Sequence, residues 1–275
     1  MKSLKDALDL RFGDYTHSPG EDLASNETLR RMSNRGVVRR FKPDPVPDAV
    51  IDTLCAVALS APSKSDLQGR DVMIVTDPAI RDRINVLLAD QDWIPKAPHF
   101  IIFLGNNRRQ RQVHDWRGKP FVNDHLDAFF NAAVDAGIAL SAFVTAAEAA
   151  GLGCCPVSVI RNHAAEVSQM LGLPDHVFPV AGLGFGWPAV PMFVSARLPL
   201  GATVHRNRFS DCTRDTVDAY DKRRNGIFPY RSQRNVARWG ETPDYGWSED
   251  KARQYAESER ADFGAFVKAK GFKLE

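Results

Sequence analysis

HLDAFFNAAVDAGIALSAFVTAAEAA, residues 125–150, is rich in alanine and apolar on more than one face. Alanine has the highest helix propensity, and a helix without a clear polar stripe must be covered on several sides. The segment is therefore expected to be a central buried helix, ended by Gly151 and Gly153. Its flanks supply the layers that cover it. DVMIVT (71–76) and HFIIFLG (99–105) read as strands around a helix at 78–88, and CCPVSVI (154–160) and VFPVAGLGF (177–185) as strands around a helix over 164–171. Strands and helices interleaved in this way predict an α/β sandwich.

Further out, a helix is expected from Asp48 to Leu59, after VVRRFKPDPVP, whose prolines at 43, 45 and 47 forbid a regular helix. An earlier helix begins near Asn26, which caps its first turn, and is closed by Gly36. Residues 1–27 carry a short amphipathic pattern (Leu4, Leu8, Leu10) followed by a polar stretch, and read as an N-terminal arm to a single domain at 28–275. After Pro188 the chain is extended and proline-punctuated, then helical near 211–224 and from about Ser248 to Lys268. This tail has too little apolar surface to fold alone and is expected to wrap around its own core or a partner subunit.

With 44% hydrophobic and 25% charged residues, the composition is that of a soluble globular protein. The net charge of +2 gives no global reason to expect nucleic acid or an anionic membrane as partner. Cys55, Cys154, Cys155 and Cys212 form no CxxC pair and no zinc spacing, which points to a reducing compartment. The start, MKSLKDALDLRFGDY, lacks the apolar core of a secretory signal, and no later run is read as approaching a membrane span. A cytoplasmic protein with no membrane, metal or nucleic-acid partner is the expectation.

Two segments carry candidate chemistry. LRRMSNRGVVRRF holds Arg30, Arg31, Arg35, Arg39 and Arg40. Charge density alone leaves a solvated face, a nucleic-acid patch and an anion cradle open, but Arg35 and Arg39 lie beyond the helix end, where guanidinium forks can grip phosphate. The loop Ala61-Pro62-Ser63-Lys64-Ser65-Asp66-Leu67-Gln68 packs hydroxyls, an amide and an ammonium between a helix and a strand, which suits either a phosphate or a plain polar turn. GLGFG (182–186) is not a dinucleotide loop, because Trp187-Pro188 follows and no helix opens. Cys154-Cys155 reads as buried structure. The dispersed histidines form no nucleophilic or metal-binding arrangement, so no catalytic side chain is assigned and a cofactor is expected to carry the chemistry.

These residues resemble the flavin-dependent nitroreductase superfamily, most closely its NADPH-preferring branch. The resemblance runs in order through Arg35-Gly36-Val37-Val38-Arg39-Arg40-Phe41, Pro62 to Gln68, Gln91-Asp92-Trp93, Ala150-Gly151-Leu152-Gly153, Ile160-Arg161-Asn162, Gly186-Trp187-Pro188, Arg197-Leu198-Pro199 and Trp247-Ser248. It implies an α+β sandwich with a mainly antiparallel central sheet, a homodimer with FMN in clefts at the subunit interface, and ping-pong hydride transfer from NADPH or NADH to a nitroaromatic, quinone or second flavin. A specialised reductive dehalogenase, or a non-catalytic flavin or nucleic-acid binder, is the alternative reading. The implied FMN contacts are Arg35, Gly36, Val37 and Arg197 with Ser63, Lys64, Ser65 and Gln68, then Arg39, Gln91, Trp93, Val157 and Ser158 around the ring. Arg223, Arg224, Arg231 and Arg234 form a loose basic region, of which Arg231 and Arg234 are assigned to the nicotinamide nucleotide. The family's Arg-Ser pair is Gly36-Val37 here, and its lysine two residues before Arg197 is Ser195; Lys64 is the hypothesised replacement for that charge.

Overall fold

The computed structural model describes residues 1–275. In chain order its helices are α1 (Leu4–Phe12), α2 (Glu21–Ala24), α3 (Glu27–Asn34), α4 (Asp48–Leu59), α5 (Pro78–Leu87), α6 (Arg108–Trp116), α7 (Leu126–Ala149), α8 (Ala164–Met170), α9 (Arg214–Ile227), α10 (Val236–Trp239), α11 (Trp247–Tyr255) and α12 (Phe263–Ala269). The strands are β1 (Arg70–Ile74), β2 (His99–Asn106), β3 (Gly153–Val157) and β4 (Val177–Gly186). The chain divides into two units, one of residues 1–36 and 193–259, the other of residues 37–192 and 260–275.

In the larger unit the four strands form one antiparallel sheet in the order β1-β2-β4-β3. Successive residues of β2 point to opposite faces, and both faces are covered. Ile101 and Phe103 pack with Leu183 and Phe185 against Leu54 of α4 and Phe143 and Ala147 of α7. Phe100, Ile102 and Leu104 pack against Ile84 of α5 and Val167 of α8. A strand buried on both sides has no polar face to alternate with, which accounts for the unbroken run FIIFL. The α+β class is the one expected.

α7 carries the first of these clusters through Ala139, Phe143, Val144 and Ala147, and its first turn is capped by the His125 ring, which accepts from the Asp127 amide at 3.4 Å. At 24 residues it is long and apolar enough to cross a membrane, which corrects the expectation that no run approaches that length. Here it is a core helix, packed on the sheet and on α4, with Asp135 and Glu148 buried along it.

Three other elements depart from the sequence reading. The strand begun at Cys154 stops at Val157, and Val159–His163 forms a turn of 3-10 helix. α6 leaves no core-facing period because its only apolar residues, Val113 and Trp116, are exposed and it buries no residue. The single helix expected over 248–268 is two: Arg260, in the left-handed region at φ 56, lies between α11 and α12. The intervening AESERAD offers no apolar stripe to sustain a helix, whereas Val267 and Phe272 pack with Ala132 and Phe178 in the larger unit.

In the smaller unit α1 packs against α3, and the Asn34 side chain closes both ends of a contact with Lys2, accepting from its amide at 2.9 Å and donating to its carbonyl at 3.1 Å. Asn26 caps α3 as expected, its Oδ1 accepting from the Leu29 amide at 3.0 Å. α9 meets α11 through an edge-on contact of Tyr220 with Trp247 at 5.4 Å between centroids.

Candidate functional site

Within the larger unit, the loop between α4 and β1 is built around one buried carboxylate. Asp135 of α7, 1% exposed, accepts from the Ser63 hydroxyl, the Lys64 amide and the Gly69 amide, each at 2.9 Å. Arg70, 5% exposed, faces it at 3.7 Å and donates to the carbonyls of Leu59 and Ala61 at 2.8 and 2.7 Å, tying the end of α4 to the start of β1. The Ser63 oxygen in turn accepts from the Gln68 amide at 2.7 Å. This wrapping strains the backbone: Ser65, Asp66 and Gln68, all with side chains, sit at φ 47, 56 and 53. Left-handed backbone at non-glycine residues is held only where surrounding contacts over-determine it.

This arrangement sorts the loop residues. The one proton of the Ser63 hydroxyl goes to Asp135, so in this arrangement Ser63 shapes the loop. Lys64, Ser65 and Gln68 are exposed and available to a ligand. Asp135 was missed by sequence reading; its signal is an acid in the middle of an apolar helix, at helical spacing from the buried Ala128, Ala132 and Ala139.

A second group lies along the same sheet. The Val38 amide donates to the Cys154 carbonyl at 3.0 Å, the Arg40 carbonyl accepts from Ala189 at 2.9 Å, and Phe41 bridges Pro188, which leaves the Arg39 side chain exposed on this extended segment. Trp93 is 6% exposed and belongs to the second core cluster with Phe41 and Val157 partly buried against it, and its Nε1 donates to Gln91 Oε1 at 3.4 Å. Val157 pairs with Gly182, and Ser158 is exposed beyond the strand end. The structure thus brings Phe41, Gln91, Trp93 and Val157 together. The 61–68 loop is elsewhere: it enters β1 at Arg70, opposite Gly105, five residues along β2 from Phe100 and the Trp93 end, or about 17 Å at 3.4 Å per residue.

In the smaller unit Arg35 and Arg197 are brought together by a third arginine. Arg11, 7% exposed, donates to the Ser33 carbonyl through Nε and Nη2 at 3.3 and 3.0 Å, to the Arg35 carbonyl at 2.8 Å and to the Ser195 carbonyl at 3.3 Å. Ser195, where the family carries lysine, accepts from Arg197 Nη1 through its hydroxyl at 2.6 Å. Gly36 does not close α3 by a left-handed turn. Instead, a Cβ there would lie 2.2 Å from the Phe193 carbonyl oxygen, so the close approach of the 193–197 segment demands glycine. Val37 is exposed and contributes no donor beyond its backbone.

The basic region also divides. Arg223 donates to three backbone carbonyls, Arg224 stacks over Tyr230 at 4.0 Å, and Arg234 is paired with Asp250 at 3.1 Å. Arg234 thereby holds the buried Asp250 carboxylate in the fold while its own side chain stays half exposed. Arg231 lines a cleft of about 600 Å³ with Tyr230, Ser232, Gln233, Thr242 and Tyr245. Burial raises the pKa of both phenols above the ordinary 10.0, and the Tyr245 hydroxyl donates to Asp250 Oδ1 at 2.8 Å.

An α+β sandwich that carries arginines and a loop with exposed ammonium, hydroxyl and amide side chains has the donor types a phosphate-bearing cofactor takes. Residues 32–187 match the Nitroreductase family and residues 195–275 the Nitroreductase family, C-terminal domain; the chain belongs to the nitroreductase family. It is similar to the FMN reductase (NADPH) of Bacillus subtilis (strain 168), with 31% identity over 252 residues covering 90% of this chain and 98% of that one. The oxygen-insensitive NADPH nitroreductase of Salmonella typhimurium is 31% identical over 195 residues, 71% of this chain and 80% of its own. Among solved structures, NfrA2 of B. megaterium superposes with a TM-score of 0.82 at 30% identity, covering 91% of this chain and 99% of that chain.

Proposed function

We propose that this protein is an FMN-dependent oxidoreductase that takes hydride from NADPH or NADH. The observation that carries the reading is the likeness, over nine-tenths of the chain, to an FMN reductase that uses NADPH. The donors of each unit fit the group's chemistry: in the smaller unit Arg35 and Arg197 supply forks of the shape a phosphate takes bidentately, and in the larger unit Lys64, Ser65 and Gln68 supply an ammonium, a hydroxyl and an amide suited to polar oxygens or a ring edge. When bound, FMN supplies the redox chemistry, accepting hydride and passing it to a nitroaromatic, quinone or second flavin in alternating, ping-pong occupancy.

The chain's own residues bind and tune. Arg39, exposed and held on a rigid extended segment, contributes positive charge, which favours electron density gained on reduction. Gln91, Trp93, Val157 and Ser158 frame the ring, with Trp93 acting from within the core as a wall. Arg231 takes the additional phosphate of NADPH in the cleft it lines.

The active form is a homodimer. Two observations support this: the loop at 61–68 and the group around Trp93 are about 17 Å apart along β2 in one chain, and α7 presents Leu126, Phe130 and Val134 at i, i+4 and i+8, 47%, 58% and 41% exposed. Such a stripe suits burial against a second copy. A cytoplasmic location, without membrane or nucleic acid, belongs to the same proposal.

The test is the visible absorbance of purified protein after incubation with FMN and removal of free ligand. A retained flavin band that bleaches when NADPH is added without oxygen supports the function. Colourless protein after incubation with excess FMN overturns it.

A further inference from the structure

We infer that Arg11, in the last turn of α1, is a positioning residue for the FMN phosphate: with Arg223 it holds Arg35 and Arg197 in gripping position, in place of the donors missing at Gly36, Val37 and Ser195. The inference rests on the FMN reading above. It concerns a part of the chain that the family match, which begins at residue 32, does not reach.

The smaller unit contains a set of mutually dependent contacts. The Arg11 guanidinium touches two separate segments at once, the end of α3 through the Ser33 and Arg35 carbonyls and the 193–197 segment through the Ser195 carbonyl. Its backbone adds another tie to the second segment, because the Arg11 carbonyl accepts from the Arg197 amide at 2.6 Å. On the other side of the same residue, the Arg197 carbonyl accepts from Arg223 Nη2 at 2.6 Å. Arg223 reaches back to the Leu10 carbonyl at 2.9 Å and the Arg11 carbonyl at 3.2 Å, so it caps the negative end of α1 while fixing Arg197. Arg197 is thereby held at both its N–H and its C=O.

α1 is shaped to permit these contacts. It ends at Gly13, at φ 76, and a Cβ at that position would lie 2.6 Å from Arg223 Nε. Any other residue would meet both an unfavourable backbone angle and the guanidinium. The planar fork matters as well as the charge, because carbonyls on two segments are engaged from one rigid group; a lysine has a single donor atom on a flexible stem. With its N–H groups directed at carbonyls, Arg11 orients the two gripping arginines and does not itself bind the phosphate.

FMN and riboflavin differ only by that phosphate, which gives a direct test. Full-length wild type, Arg11→Lys and Arg11→Gln are stripped of flavin and titrated with each ligand by fluorescence, with thermal midpoints recorded in parallel. Wild type is expected to prefer FMN over riboflavin by about 100-fold, the worth of two charge-assisted contacts. Both variants are expected to lose about tenfold in FMN affinity while riboflavin affinity stays within about twofold. Gly13→Ala, which displaces Arg223 and leaves Arg11 in place, is expected to show the same phosphate-selective loss and serves if the Arg11 variants do not fold. Equal losses for both ligands, or an unchanged preference, overturn the inference. A wild type that binds FMN no better than riboflavin overturns the phosphate assignment itself, a result distinguishable because it needs no variant.

Discussion

Replacing Asp135 should loosen the 61–70 loop and destabilise the larger unit together. The carboxylate lies in near-complete burial with three donors at 2.9 Å and the Arg70 guanidinium at 3.7 Å. In Asp135→Asn one acceptor becomes an NH₂ donor, and either orientation confronts a donor already aimed at it: the Lys64 amide on one side, the Ser63 hydroxyl and Gly69 amide on the other. A hydrogen bond to a charged group is worth about 1.5–3 kcal/mol, and stripping a buried ion of its counter-charge costs about 3–5 kcal/mol. These contributions overlap, so the expected loss is about 3–5 kcal/mol, or roughly 6–20 °C in thermal midpoint for a unit of this size. Asp135→Ala should fall at or beyond the upper end. The local signature is amide exchange: the Lys64 and Gly69 amides, protected by Asp135, should exchange faster as the left-handed residues relax. A destabilisation below about 1 kcal/mol, or unaltered protection at those two amides, would refute the reasoning.

Gly36→Ala should cost about 1–3 kcal/mol through overpacking against the Phe193 carbonyl, seen as a lower urea midpoint, while Val37→Ala at an exposed position should shift it by less than about 0.5 kcal/mol. The hydrogen bond from Arg111, and against the cost of burial that from Lys273, holds the Asp124 carboxyl down from 3.8 to about 2. Because the folded value is depressed, its contribution of about 2 kcal/mol is present above pH 3.8 and is lost as pH falls through 3.8 towards 2; Asp124→Asn should flatten that acid limb in thermal midpoints. Arg231→Ala should raise KM for NADPH about tenfold and leave that for NADH unchanged, whereas Arg234→Ala, which breaks the pair with Asp250, should lower stability and leave the NADPH/NADH ratio alone. Lys64→Ala should weaken FMN binding about fivefold to tenfold by calorimetry, and an unchanged dissociation constant removes Lys64 from the site.

Much of the core was legible because burial leaves a periodic trace. The extents of α4, α5, α7 and α8 follow from apolar spacing, the start of α3 from its cap Asn26, and β2 and β4 from apolar runs too long for a half-exposed strand. α6 left no trace because nothing in it is buried, and the division between α11 and α12 depends on where Val267 and Phe272 find apolar partners, among residues more than eighty positions earlier. The candidate site was legible as a set of residue types, in the arginines at 35, 39 and 197 and the polar loop at 61–68. Their division of labour was not. That Ser63 is bonded to Asp135 and that Trp93 is packed into the core depend on partners remote in sequence.

By itself the sequence determined the α+β layering, the central helix, the family and the chemistry of the donors, since these rest on local periodicity, caps and ordered motifs. Tertiary structure decided which charges hold the chain: Arg11, Arg223 and Arg234 are engaged by carbonyls and carboxylates, and Asp135 folds a loop around itself. An arginine carries the same charge wherever it stands along the chain. Only its distance from carbonyls remote in sequence, 184 positions away for Arg11 and Ser195, says whether that charge is already satisfied.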